Sequence, residues 1–313
     1  MKTMLSTAAV LLTISATNAL AATTNLVTFG DSLVDSGNVA IATTASGGAF
    51  PFSVYPNGQF TNGDTWATQL GLTPSLTGGT NFAYGGARAR DNGDAIPDFK
   101  AQVESFKTSG IETTPHTAAA VWVGGNDFLN LDATSDAEVS RAIRRIVEEI
   151  THGVNNIYHA GVSTILVLGL PDFGFLPGLA DDPVAAGQAS FITNAYNQAL
   201  EASLALLNSL SDQSDIRYFD TNGIFQEVLA TVPSELMSVP CLADPVGCAA
   251  NPTDYVFYDD IHPSEWVHSI LAEAVAEELD YQLAAVPLPA TAPLLLVGLG
   301  GLGLWARRRK SRA

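Results

Sequence analysis

The sequence predicts a doubly wound α/β domain, with a mainly parallel sheet of about five strands and helices on both faces. Short apolar runs rich in β-branched and aromatic residues alternate with longer segments whose apolar residues fall at three- and four-residue spacing. Gly, Pro or Asp bounds nearly every run, and strand and helix in this rhythm call for the crossover connections of a parallel sheet. One domain over residues 22–284 accommodates the whole alternation. In a chain of 313 residues, 47% hydrophobic content supplies the core that such a domain needs.

Taken in order, "NLVTF" (25–29) is the first strand, and it runs straight into Gly30, Asp31 and Ser32. The stretch from Ile41 to Leu76, rich in Gly, Thr and Asn, reads as an irregular excursion over the sheet. "GTNFAYGGA" (79–87) is the weakest strand, because glycines interrupt it. "PDFKAQVESFKTSG" (97–110) is helical, and "AAAVWV" (118–123) is a buried strand. A long helix over 135–161 opens on the capping box Ser135-x-x-Glu138 and closes at Gly161. "STILVLGL" (163–170) and "IRYFD" (216–220) are strands, and helices cover 191–210 and 263–283.

Ligand sites in such sheets gather at the carboxyl ends of the strands. Ser32 follows the first strand and "GGND" (124–127) follows the strand at 118–123, so both project at one rim. Near the far end, "YDDIHPSEW" (258–266) carries Asp259, Asp260, His262 and Pro263 just before the last helix. A serine hydroxyl becomes a nucleophile when a base takes its proton, and an imidazole base needs a carboxylate to fix its tautomer. Asp-x-x-His supplies both from one turn; Asp260, two residues from His262, points away more readily than Asp259. An oxyanion needs rigid donors, and Asn126, the Ser32 N–H and the N–H of Gly86 or its neighbour Gly85 are the candidates. Ser36 repeats the Asp-Ser pair inside the helix that follows, and His116, His152, His159 and His268 lack metal-ligand spacing. Trp66, Trp122 and Trp266 read as core.

Of the 14 basic residues six lie at the two ends, while all 32 acidic ones lie between, so the middle carries a net charge of −24. That field repels phosphate backbones and argues against a nucleic-acid partner. Residues 1–21 have the basic start, short apolar stretch and small residues of a signal peptide cut after Ala21. Cys241 and Cys248, close together in a Pro- and Gly-rich loop of an exported chain, favour a local disulfide over a metal site.

With "FGDSLVDSGN", "NFAYGGA", "VGGND" and "DDIHP" in this order, the chain resembles the SGNH or GDSL esterase/lipase family. The resemblance implies a three-layer α/β/α sandwich of flavodoxin-like topology and hydrolysis of carboxylic esters through an acyl-enzyme, without a cofactor. It implies Ser32, His262 and Asp259 as the triad, with Gly86 and Asn126 beside the Ser32 N–H in the oxyanion hole. "GLPDFGFLPGL" (169–179) is similar to a segment that many members carry between these blocks. A carbohydrate O-acetylesterase acting on acetylated glycans is the alternative among hydrolases, and a surface-displayed binding module without catalysis is the alternative outside them. The tail, 285–313, resembles a VPLPA-type PEP-CTERM sorting signal: Val286-Pro287-Leu288-Pro289-Ala290, an apolar run and an arginine-rich end. That resemblance implies a Gram-negative source, transient anchoring in the inner membrane and processing by an exosortase-like protease, with an extracellular or surface destination. A permanent membrane anchor is the other reading of the tail.

Overall fold

The computed structural model describes residues 23–129, 131, 135–211 and 214–281. The leader at 1–21 and the tail at 285–313 lie outside the described residues. Four strands, β1 (Asn25–Gly30), β2 (Thr117–Trp122), β3 (Thr164–Leu168) and β4 (Asp215–Phe219), form one sheet in the order β1-β2-β3-β4. Every pair is parallel, with Thr28 opposite Ala120, Ala120 opposite Leu166, and Leu166 opposite Arg217.

The helices are α1 (Asn38–Ala45), α2 (Trp66–Gln69), α3 (Phe99–Thr108), α4 (Gly125–Leu129), α5 (Asp136–His159), α6 (Pro183–Leu210), α7 (Thr221–Leu229), α8 (Pro245–Ala250) and α9 (Glu265–Glu278). One packed group joins α3, α5 and α6, and another joins α2, α7 and α9. Every residue of β2 is buried, as a strand covered on both faces must be. This is the three-layer arrangement that the alternation of strand and helix predicts.

Of the five expected strands, the one at 79–87 is reduced to a bridge. Its backbone runs beside β1, with Thr28 N donating to Thr80 O at 3.0 Å and Phe82 N to Thr28 O at 2.8 Å, but only Asn81 pairs with Thr28 as a ladder residue. The Asn81 side chain explains the short pairing: it donates to Val34 O and accepts from Ala83 N, bending the segment toward the site. Counted as an edge, this segment gives the flavodoxin-like order 2-1-3-4-5, whose switch point lies between β1 and β2.

On α5, residues Ile143, Ile146, Val147, Ile150, Val154 and Ile157 are buried, the stripe that the sequence spacing marks out. Each such side chain removed from water contributes about 1.5–3 kcal/mol. The Ser135 and Glu138 side chains bond each other rather than closing a reciprocal box on the backbone. The helix expected over 191–210 starts instead at Pro183, where the Asp182 side chain accepts from the Val184 and Ala185 amides. An Asp cap followed by Pro at the first position is a strong start, and the small, polar run at 185–190 hid it. Trp66 and Trp122 are core residues, and Phe29 of β1 packs among Phe82, Phe99 and Phe106.

Candidate active site

Ser32 is the second residue past β1, at the switch point. β1 passes so close to β2 here that a Cβ on Gly30 would stand 2.2 Å from the Trp122 carbonyl oxygen, so glycine alone fits. The buried amide of Gln102, on α3, grips the same residue from the side: Gly30 N donates to its Oε1 at 2.9 Å, and its Nε2 donates to Gly30 O at 2.8 Å. Past Gly30 the Asp31 carboxylate accepts from Leu33 N, and the Asp31 carbonyl accepts from Val34 N and Asp35 N, which curls the chain around Ser32.

From the other end of the chain, the turn before α9 brings His262 to Ser32, with 2.8 Å between Nε2 and the serine Oγ. His262 Nδ1 lies 2.8 Å from Asp259 Oδ2. The opposite oxygen, Oδ1, accepts from the Ile261 and His262 amides at 2.9 and 2.8 Å, and Tyr55 OH donates to Oδ2 at 2.7 Å. Burial works to raise the Asp259 pKa, but the bond and charge of His262 and those two amides overcome it and hold the carboxyl at about 2. Burial, then the bond to Asp259, pushes the Tyr55 hydroxyl well up, so it remains a donor. The His262 ring is flanked by Phe60, at 5.5 Å between centroids, and by the edge of Tyr55 at 6.2 Å. Cys241 and Cys248 form a disulfide, and Cys241 N and Leu242 N donate to the carbonyls of Phe257 and Tyr258, bracing the stretch that leads into Asp259.

The third component is the loop at 85–90, four of whose six amides are spent on carboxylates. Gly85 N donates to Asp35 Oδ2 at 2.9 Å, Arg88 N to Asp98 at 2.7 Å, Ala89 N to Asp127 at 2.8 Å and Arg90 N to Asp127 at 3.3 Å. Ala87 N bonds the Tyr84 carbonyl, and Ala87 O accepts one N–H of the Asn126 side chain at 2.9 Å. Among the described residues, the N–H groups of Gly86 and Ser32 have no acceptor. Gly86 holds φ +85°, a left-handed backbone that suits glycine. Of the two glycines, Gly86 keeps an unspent N–H, because Asp35 occupies that of Gly85.

Other sequence candidates stay outside. Ser36 is buried with its Oγ unpartnered, and the imidazole bonds Ser32 instead. The Asp260 side chain is exposed, and so are His116, His152 and His159. His268 lies on the buried face of α9 with neither ring nitrogen partnered, and burial, with the charge of His262 adding to it, pushes its pKa down to about 3. Among the described residues no cluster of His, Cys, Asp and Glu could hold a metal ion, and no helix is long and apolar enough to cross a membrane. Sequence reasoning missed Gln102, Tyr55, Phe60 and the three clamping aspartates. Asp35, Asp98 and Asp127 could have been suspected as acids inside or beside Gly-rich motifs; Tyr55 and Phe60 carry no local signal.

Three of these carboxyls titrate unusually high. Burial pushes Asp31 up to about 7 against the pull of the Leu33 amide, with the charge of Asp127 adding to the rise. Burial likewise pushes Asp35 and Asp127 up to about 6, against the amides that each accepts. In the unfolded chain a carboxyl titrates near 3.8, so between about pH 4 and 7 the folded protein binds the extra protons and loses stability as pH rises. Asp259, depressed to about 2, acts in the opposite sense, but only below about pH 4, and His268, depressed to about 3 from 6.5, opposes the fall up to about pH 6.5 without cancelling three carboxyls. The melting temperature should therefore fall by several degrees from pH 5 to pH 8, and Asp31→Asn should shrink that fall. A melting temperature that rises across the interval would contradict this account.

Over Ser32 lies a small cavity of about 40 Å³, walled by Leu33, Asn126, Pro171, Phe173, Phe257 and His262. A serine hydroxyl and an imidazole held by a carboxylate thus meet beside an apolar slot.

Profile comparison matches the GDSL-like lipase/acylhydrolase family over residues 26–275. A PEP-CTERM protein-sorting motif matches residues 285–310, which implies export and surface sorting by an exosortase-type route. A GDSL esterase/lipase of Arabidopsis thaliana is 27% identical, covering 82% of this chain and 88% of that protein. The phosphatidylcholine-sterol acyltransferase of Aeromonas hydrophila is 25% identical, covering 87% of this chain and 95% of that one. Among solved structures, an acetylxylan esterase of Geobacillus stearothermophilus overlays with a TM-score of 0.47 at 17% identity, over 84% of this chain and 97% of that one. The family profile spans both the sheet and the turn that carries His262, and the chain belongs to the GDSL-like lipase/acylhydrolase family of ester-bond hydrolases.

Proposed function

We propose that this protein is an exported serine esterase that cleaves carboxylic esters through an acyl-enzyme on Ser32. The observation that carries this reading is the relay from Ser32 Oγ through His262 to Asp259, each contact 2.8 Å, beside unspent N–H groups on Gly86 and Ser32. Ser32 Oγ attacks the carbonyl carbon while its proton passes to His262 Nε2. The carbonyl oxygen becomes an oxyanion and takes hydrogen bonds from the Gly86 N–H, the Ser32 N–H and the free N–H of Asn126. Removing one such donor typically costs about 10²–10³ in kcat. Collapse breaks the bond to the leaving alcohol, which takes the proton from His262. Water, deprotonated by the same imidazole, then attacks the acyl carbon, frees the acid and returns the proton to Ser32. Asp259 keeps the proton on Nδ1 so that Nε2 faces the serine as an acceptor.

The leader at 1–21 and the tail complete this reading: cleavage after Ala21 releases the domain at 22–284, and the apolar tail holds it transiently in the inner membrane of a Gram-negative cell until the processing protease removes the tail. The test of the catalytic reading is a fluorophosphonate, which should form one adduct on the peptide that contains Ser32. Ser36→Ala should label as wild type does, and Ser32→Ala should not label. An adduct on any other serine, or labelling that survives Ser32→Ala, would refute the assignment.

A further inference from the structure

The slot over Ser32 has a neighbour. Leu129, Phe173, Leu176 and Ile261 line the small cavity on one side and, on the other, a groove of about 360 Å³. The far wall of the groove is α6, where Ala185, Ala189 and Ile192 recur on one face, and Phe128 and Leu179 add to it. Among the described residues, Gln188 supplies the one polar side chain of the lining. A volume at the lower end of the roughly 300–1,000 Å³ of small-molecule sites, with no charged group among the described residues that line it, suits a hydrocarbon better than the hydroxyl-rich surface of a sugar. Leu129 and Ile261 on the gate are exposed apolar side chains, and so are Val184 and Phe191 on the same stretch of α6.

Direction follows from which residues face the slot. The 85–90 loop and Phe60 do not line it, whereas Ser32, Asn126 and His262 do. In a tetrahedral intermediate on Ser32, the oxyanion lies on the side of Gly86 and the leaving oxygen lies within reach of His262 Nε2. The remaining substituent of the carbonyl carbon is the acyl chain, which runs away from Gly86 into the slot and toward Leu129 and Leu176. The acyl group also stays covalently attached after the alcohol departs, so it needs an enclosed site in both states.

We propose that the groove between the 173–179 segment and α6 binds the aliphatic acyl chain of the substrate, entered through the gate of Leu129, Phe173, Leu176 and Ile261, so that the enzyme prefers medium-chain acyl esters over acetates. This rests on Ser32 as the nucleophile and adds the class of acid that it transfers to water. Each methylene taken out of water is worth a factor of up to about four in kcat/KM, so p-nitrophenyl octanoate should exceed the acetate by at least about tenfold.

The experiment measures kcat/KM for p-nitrophenyl esters from acetate to dodecanoate, for a matched series of acetates of lengthening alcohols, and for acetylated xylan. Ala189→Trp, which fills the groove, and Ile192→Glu, which charges its wall, should each lower the octanoate-to-acetate ratio at least about tenfold. A preference that follows alcohol length instead, a preference for acetate or acetylated xylan, or an octanoate-to-acetate ratio untouched by either variant would overturn the proposal. Loss of the catalytic reading shows separately, as hydrolysis that persists in Ser32→Ala.

Discussion

Ser32→Ala and His262→Ala should each lower kcat on p-nitrophenyl esters by about 10⁶, and the double variant should be no worse than either alone. Groups that act as one unit fail together, because a hydroxyl without its base and a base without its hydroxyl are equally idle. The 2.8 Å contact between Oγ and Nε2 is the physical basis for that expectation. A residual rate should survive in all three variants, since the Gly86 N–H and Asn126 still polarise a bound carbonyl. Ser32→Ala removes only a hydroxyl, so its melting curve should stay close to wild type. Costs that multiply in the double variant, or a Ser32→Ala enzyme that keeps more than about one hundredth of wild-type kcat, would end the nucleophile assignment.

Asp259→Asn should cost about 10⁴ in kcat while leaving the backbone of the turn in place. The carboxylate does two separable jobs. Oδ1 holds the turn through the Ile261 and His262 amides, and Oδ2 accepts from His262 Nδ1. An asparagine oxygen can keep the first job, but its NH₂ directed at Nδ1 reverses the tautomer and puts a proton on Nε2, where the serine needs an acceptor. Tyr55→Phe removes only the third donor to the same carboxylate and should cost far less than Asp259→Asn. Steady-state kinetics of the two variants side by side make the comparison, and equal losses would assign Asp259 a purely structural role.

Several features were open to reading from residues alone because their signals are local. The four strands that pair are short apolar runs bounded by turn formers, and the stripe on α5 shows in its spacing. Gly30, Asp31 and Ser32 fall at a strand end, and Asp259 and His262 sit three residues apart, so each half of the relay is a contiguous motif. Even Asp259 could be chosen over Asp260 as the partner of His262, since an i, i+3 carboxylate folds back on its own turn.

What only the tertiary structure decided involves partners far apart in the chain. Ser32 and His262 are 230 residues apart, and their distance depends on the parallel sheet bringing the end of β1 and the turn before α9 to the same rim. That the Gly86 N–H stays unspent while the Gly85 N–H does not follows from the Asp35 carboxylate, 50 residues from Gly85, which consumes the latter. Tyr55, in a stretch that reads as irregular, reaches Asp259 across 204 residues. The strand expected at 79–87 faded because Asn81 spends its side chain on Val34 and Ala83. Local pattern by itself determined the elements and the reactive residue types, since propensity and turn chemistry act over a few residues. Which groups meet, and which N–H groups remain unspent, depended on packing, because long-range hydrogen bonds leave no periodic trace in the chain.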